Sequence, residues 1–289
     1  MTKPIIKHGK RQQLITKVNY GIRRIKEVVM SDLVSIIMPN YNCAECLEET
    51  ISSVLNQTYI NWELLIVDDC STDKSVEIIK SFSEKDARIK LFINEKNSGA
   101  AASRNRAIRE AKGKWIAFLD SDDLWTADKL EKQIKFMEEG GYHFSCTDYD
   151  HINEQSQPLN VKVTGPKKVT RHKMFNYCYL GCLTVMYDSE VTGLIQIPDS
   201  ITKRNDYALW LKISKFAVCY RLSGIYAHYR SRRGSLSHQS KLKLIKYHYR
   251  LFRNSENMCA VRALFYTFKN LFHGVFKKLR YVKKIKVRN

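Results

Sequence analysis

Residues 33–119 alternate between short apolar runs and longer stretches whose apolar positions recur at helical spacing. The runs at 33–38, 63–67, 89–93 and 115–119 are nearly continuous and end abruptly on polar residues, the pattern of strands buried on both faces. Between them, Leu47, Ile51, Val54 and Leu55 form one helical stripe that ends near Asn56-Gln57. Ser71-Thr72-Asp73 offers caps for a second helix running to residue 82. Asn97-Ser98-Gly99 turns into a small-residue helix over 100–108, and Gly113 stops it. A β-α-β-α-β-α-β order within about 90 residues predicts an α/β fold with a mainly parallel central sheet flanked by helices. No G-x-G-x-x-G follows the first strand, so the pattern is not that of a dinucleotide-binding fold.

Further on, Thr126 or Asp128 caps a helix reaching residue 139, and 142–149 reads as a strand. Residues 150–168, broken by Pro158, Gly165 and Pro166, read as a loop or hairpin; 177–187 is strand-like without a clean alternation. Asn205-Asp206 precede a helical pattern over 207–213, and 216–220 and 225–229 read as two short strands. The segment 238–289 is helical, with a wide apolar face made by Phe265, Phe268, Leu271, Phe272, Val275, Phe276 and Leu279. In residues 1–30, Ile15, Val18, Ile22, Ile25 and Val29 fit a short basic amphipathic helix or a flexible tail. The expected organisation is a basic segment 1–30, a main domain 31–237 and a basic helical extension 238–289.

Charge sharpens that division. The formal net charge of the 289 residues is +20, but 1–30 holds eight Lys/Arg against one acid and 241–289 holds fourteen against one. Residues 31–240 are therefore neutral, and the anionic partner implied by the charge belongs to the ends. Lysines beside the apolar face of the last helix suit an anionic membrane surface; packing on the domain, dimerisation and RNA contact are the competing accounts. Nucleic acid is not the expected partner, because the aromatics are not interleaved along a basic groove. No stretch of about twenty apolar residues spans a membrane. The eight cysteines show one C-x-x-C pair, Cys43 and Cys46, with no second pair or nearby histidine to complete a zinc site. Together with the lack of a signal peptide, this reads as a cytoplasmic protein with reduced thiols.

The candidate chemistry sits where strands end. The fourth apolar run stops at Asp120-Ser121-Asp122-Asp123, three carboxylates within four residues, whose mutual repulsion calls for a cation or hydrogen-bond donors. A metal site for a phosphorylated ligand and a solvated turn opening the next helix are both compatible with it. The second run ends likewise at Asp68-Asp69, and Pro39-Asn40-Tyr41-Asn42 closes the first. Asp206 stands at the start of a helix, where the dipole favours its charge. Arg230, Arg232 and Arg233, with two serines and Gly234, form either a diphosphate clamp or a solvated loop.

Four motifs in order, Val34-Ser-Ile-Ile-Met-Pro-Asn-Tyr-Asn42, Leu65-Ile-Val-Asp-Asp-Cys-Ser-Thr-Asp73, Asn97-Ser-Gly-Ala-Ala-Ala-Ser-Arg-Asn105 and Phe118-Leu-Asp-Ser-Asp-Asp-Leu-Trp125, resemble family 2 glycosyltransferases of the GT-A fold. The resemblance covers 34–237 and is nearest to bacterial enzymes that build capsule, lipopolysaccharide or teichoic-type glycans. It implies that Pro39, Asn40, Tyr41 and Asp69, with Asp68 beside them, hold the nucleotide base and ribose. Asp120 takes the ribose or sugar side of the donor, with Arg104 and Ser121 in the same donor-binding set. Asp122 ligates Mg²⁺ or Mn²⁺, and the Arg230, Arg232, Arg233 segment closes over the diphosphate. Asp206 occupies the place of the base, although its neighbour is Asn205 where such enzymes carry Glu. The implied activity is inverting transfer, UDP-hexose favoured, to a glycan acceptor on a polyprenyl diphosphate at the inner face of the cell membrane. A catalytically silent nucleotide-sugar or glycan-binding scaffold is the alternative that Asn205 leaves open.

Overall fold

The computed structural model describes residues 32–232 and 241–284, so the expected N-terminal helix and Arg233 lie outside the described residues. Strands β1 (Val34–Asn40), β2 (Trp62–Asp68), β3 (Ile89–Ile93) and β4 (Trp115–Phe118) alternate with helices α1 (Ala44–Leu55), α2 (Ser75–Ser83) and α3 (Ala100–Glu110). All four strands run parallel in the order β3-β2-β1-β4. Successive residues of each point to opposite layers, as the two-residue period of a strand requires. Ile36, Met38, Leu64, Ile66 and Ala117 pack on one side with Leu47, Ile51 and Val54 of α1. Ile37, Leu65, Val67, Ile116 and Phe118 pack on the other with Ala107 and Ile108 of α3. This double burial is why the runs are continuous rather than alternating. Gly113 marks a close approach between elements: a Cβ there would stand 2.6 Å from Leu33 O and Ser35 N.

Beyond β4 the sheet turns mixed. After β5 (Leu124–Trp125) and α4 (Lys129–Gly140) come β6 (Phe144–Ile152), β7 (Pro158–Val163), β8 (Lys168–Val169), α5 (Arg171–Asn176), β9 (Met186–Asp188) and α6 (Ser189–Thr192). Strand β9 lies antiparallel between β4 and β6, and β6 and β7 form the hairpin that is one of the two expectations for 150–168. The stretch 177–187 is a correction, since only β9 at its end is a strand and a 3₁₀ turn occupies Cys182–Thr184. Its apolar residues Cys178, Leu180, Leu183 and Val185 are buried by packing without ladder pairing, so burial there imitates a strand signal.

Helix α7 (Asn205–Ile213) is buried almost all round. The two strands expected at 216–220 and 225–229 are one, β10 (Cys219–Arg230), running parallel to β6 with register shifts between Leu222 and Ala227. Gly224, at φ +137°, sits inside that irregularity, which reads in the sequence as a break. Helix α8 (Lys241–Arg250), a π-helical turn at Leu251–Ser255 and α9 (Ala260–Tyr281) belong to the same compact unit as the sheet, and β11 (Val282–Lys284) pairs with β7. Helix α9 turns Ala263, Thr267 and Asn270 inward and leaves Phe265, Phe268, Phe272, Val275, Phe276 and Leu279 exposed.

Candidate active site

The C-terminal ends of β1, β2 and β4 open on one side of the parallel sheet, where open α/β sheets hold their ligands. Three loops meet there, each tied by carboxylates. Asp68 is fully buried and accepts from Asn40 Nδ2 at 2.7 Å, Ser71 N at 2.9 Å and Ser71 Oγ at 2.6 Å, locking the β1 and β2 loops together. Asp69 accepts from Asn94 Nδ2 at 2.7 Å, Ser98 N at 2.9 Å and Gly99 N at 2.7 Å, fixing the turn that starts α3. Asp73 accepts from Ala44 N at 2.9 Å and Ser75 N at 3.0 Å, so it braces the starts of α1 and α2 together. Pro39 is buried, and the Tyr41 side chain beyond it is half exposed at the mouth.

The acidic loop after β4 gives its four residues different settings. The main-chain carbonyl of Ser121 accepts from Thr50 Oγ1 at 3.0 Å and from Cys43 Sγ at 3.4 Å, which fastens the loop to α1. Asp120 is ion-paired with Arg104 Nη2, and Arg104 Nη1 donates to Asn205 Oδ1 at 2.7 Å. Arg104 is buried; burial opposes its charge, but Asp120 and Asp206 keep it firmly protonated. One guanidinium on α3 therefore joins the end of β4 to the start of α7, beside Asp206, with Arg104 and Asn205 101 residues apart in sequence. Asn205, the residue that departs from the family's acidic pair, is thus the neutral acceptor that orients Arg104 and leaves its charge to Asp120 and Asp206.

Asp122 faces the mouth and pairs with Arg232 Nη2 at 2.8 Å. Burial pushes its pKa up and Asp120 adds to this, while Arg232 pulls it down. Asp123 is fully buried, accepts from Arg230 N at 2.9 Å and is pushed well above the usual carboxylate range by burial, then by Asp122 and Asp120. Burial and the neighbouring carboxylates make Asp122 costly to hold charged, a cost that a cation at the mouth would relieve. Mg²⁺ is commonly held by one or two carboxylates plus phosphate oxygens, so Asp122, open to the mouth, fits that role with a diphosphate supplying the other ligands. Among the described residues no group of three or more His, Cys, Asp or Glu forms a cage of protein ligands alone.

The arginines divide. Arg230 departs from the expected clamp: it is 1% exposed and its side chain is committed within the protein. It donates from Nε to Asp122 O at 2.8 Å, from Nη1 to Ser156 Oγ at 2.8 Å and from Nη2 to Glu49 at 2.6 Å. It is the rivet between the acidic loop, the β6–β7 hairpin and α1. Arg232, a third exposed, is the cation that fronts Asp122. Sequence reasoning missed the Arg104–Asn205 link and the Glu49 partner of Arg230, because neither residue spacing nor type announces a contact between distant elements.

This mainly parallel sheet, with carboxylates at its strand ends and helices on both faces, has the architecture of the GT-A fold. The sequence model for glycosyl transferase family 2 matches residues 35–180, and the chain belongs to that family. It is 40% identical over 248 residues, 86% of this chain and 98% of the relative, to the putative teichuronic acid biosynthesis glycosyltransferase TuaG of Bacillus subtilis. It is 46% identical over 183 residues, 63% of this chain and 70% of the relative, to the Escherichia coli UDP-Glc:alpha-D-GlcNAc-diphosphoundecaprenol beta-1,3-glucosyltransferase WfgD. The crystal structure of S. aureus TarS 1-349 with UDP-GlcNAc superposes with a TM-score of 0.66 at 21% identity, covering 86% of this chain and 74% of that one. The protein is a glycosyltransferase enzyme.

Proposed function

We propose that this enzyme transfers a hexose from a UDP-sugar, with inversion and with the help of Mg²⁺ or Mn²⁺, to a hydroxyl of a glycan carried on a polyprenyl diphosphate, in cell-surface polysaccharide synthesis. The observation that carries the reading is Arg104, which binds Asp120 on the donor side and Asn205 beside the base. The acceptor class follows the printed activity of the E. coli relative. Asp206, at the N-terminal turn of α7, takes the proton of the acceptor hydroxyl as its oxygen bonds to the anomeric carbon. The bond from that carbon to the diphosphate oxygen breaks on the opposite face, and nucleoside diphosphate leaves. Asp206 need accept the proton only as the new bond forms and the hydroxyl becomes acidic. Arg232 is placed to exchange Asp122 for the diphosphate and share its charge. Asp122 would hold a divalent cation together with the diphosphate oxygens, and that ion would neutralise charge on the leaving group. The binding-only alternative rests on Asn205, whose bond to Arg104 supports a working site instead.

The exposed apolar face of α9, flanked by Lys278, Arg280, Lys283 and Lys284, supports attachment to an anionic membrane surface. No helix among the described residues is long and apolar enough to cross a membrane. The test is a panel of nucleotide-sugars with Mg²⁺ or Mn²⁺, reading released UDP, GDP, dTDP or CMP, beside Asp122→Ala. UDP release from one donor, metal-dependent and lost in the variant, is expected. Failure to bind any donor would refute the reading.

A further inference from the structure

Helix α9 meets the domain with its small and polar residues. Ala263, Thr267 and Asn270 are buried, and Gly274 and Lys277 continue the same stripe at helical spacing. Asn270 Nδ2 donates to Tyr207 Oη at 2.9 Å, next in sequence to Asp206. One turn on, a Cβ at Gly274 would stand 3.1 Å from the Tyr177 ring, so the missing side chain lets the helix lie close. Another turn on, Lys277 Nζ lies 5.3 Å from the centroid of that ring. Arg204, two residues before Asp206, holds a left-handed backbone at φ +59° and lies 5.8 Å from the Tyr207 ring centroid. Its Nε is buried with no hydrogen-bond partner among the described residues. Burial and Arg204 lower the Lys277 pKa, while Cys178 and Asp206 pull it up, so both cations stand within the field of the base.

Two partly desolvated cations thus flank Tyr207 and Tyr177, at the start of the helix that carries Asp206. An orphaned donor among them is the mark of a site shaped for an anion. The donor's diphosphate belongs with Asp122 and Arg232, at the ends of β4 and β10. We propose that Arg204 and Lys277 form the subsite for the acceptor's diphosphate, one sugar ring away from the hydroxyl that Asp206 deprotonates. This rests on the polyprenyl-diphosphate reading above and names the residues that read it. The neighbouring Val275 and Phe276 are exposed, so one turn of α9 presents a cation to the diphosphate and apolar groups to the lipid that follows it.

The experiment compares two water-soluble acceptors in detergent-free buffer, which removes membrane binding from the readout. One is α-GlcNAc diphosphate on a short alkyl chain, the other a neutral alkyl α-GlcNAc glycoside. The wild type should prefer the first in kcat/KM. Lys277→Gln and Arg204→Gln should each raise the KM for the diphosphate acceptor by about tenfold or more, a factor equivalent to 1.4 kcal/mol, and leave the neutral one within about twofold. Lys277→Arg should restore the preference, and a thermal melt checks that each variant folds. A wild type without the preference, or inactive on both acceptors, refutes the acceptor reading and this subsite with it. A wild type with the preference whose variants keep it, or lose turnover of both acceptors alike, refutes the subsite alone.

Discussion

Replacing Arg104 by Met removes the guanidinium that spans β4 and α7 while keeping the unbranched stem. Two unit charges about 4 Å apart at an effective dielectric of about 20 attract by about 4 kcal/mol. Asp120 is 32% exposed, so solvent screening reduces this to roughly 2–3 kcal/mol, and the bond to Asn205 adds about 1 kcal/mol. Removing a buried charge offsets part of the loss, and the net fall in stability should be about 1–2 kcal/mol. Activity should fall further, because Asp120 loses its fixed position and Asp122 faces an unscreened neighbour. A loss of 2–3 kcal/mol in transition-state stabilisation corresponds to roughly 30- to 150-fold in kcat/KM. The assay is a double-mutant cycle of Arg104→Met with Asp120→Asn, reading urea denaturation and donor turnover. A coupling of about 2 kcal/mol is expected. Additivity within about 0.5 kcal/mol, or a folded Arg104→Met enzyme within about threefold of wild type, would refute the bridge.

Asp206→Asn should lower kcat by about 10²–10⁴-fold with donor affinity retained, measured by steady-state kinetics beside donor titration. Arg230→Met should act on stability, because it strips partners from Asp122 O, Ser156 and Glu49; a loss of about 2–4 kcal/mol by urea denaturation is expected. Glu63, buried in β2, accepts from Ser35 Oγ, Lys112 N and Lys90 Nζ; burial raises its pKa, but these partners outweigh it and hold it below the usual range. A carboxylate lowered on folding contributes stability above its unfolded pKa and loses it as pH falls through the folded one. The stability gap between wild type and Glu63→Gln should therefore be wide at pH 7 and close in the acid range, read by urea melts. Phe268→Ser with Phe272→Ser should weaken co-sedimentation with phosphatidylglycerol vesicles without changing the melting temperature, since both rings are exposed.

Sequence alone determined the parallel half of the sheet, because strands buried on both faces must be apolar at every position and helices between them apolar at every third or fourth. It also determined which carboxylates stand at strand ends, since an acid that follows such a run can only lie at its mouth. Tertiary structure decided what those groups touch. Asp68 and Asp69 spend their lone pairs bracing loops, and Arg230, alike in sequence to Arg232, became a buried rivet. The two arginines, two positions apart, differ because β10 ends at Arg230: Arg230 is the last residue of the strand and is covered by the hairpin and α1, while Arg232 lies beyond it at the mouth. The apolar face of the last helix was legible from its spacing, but its outward direction was only the favoured one of several accounts until the fold placed it. Ala263, Thr267, Asn270 and Gly274, small or able to hydrogen-bond, won the inner side because α7 and Tyr177 leave room for little else. Periodicity records which residues share a face; which face meets the protein depends on the shape of the surface it meets.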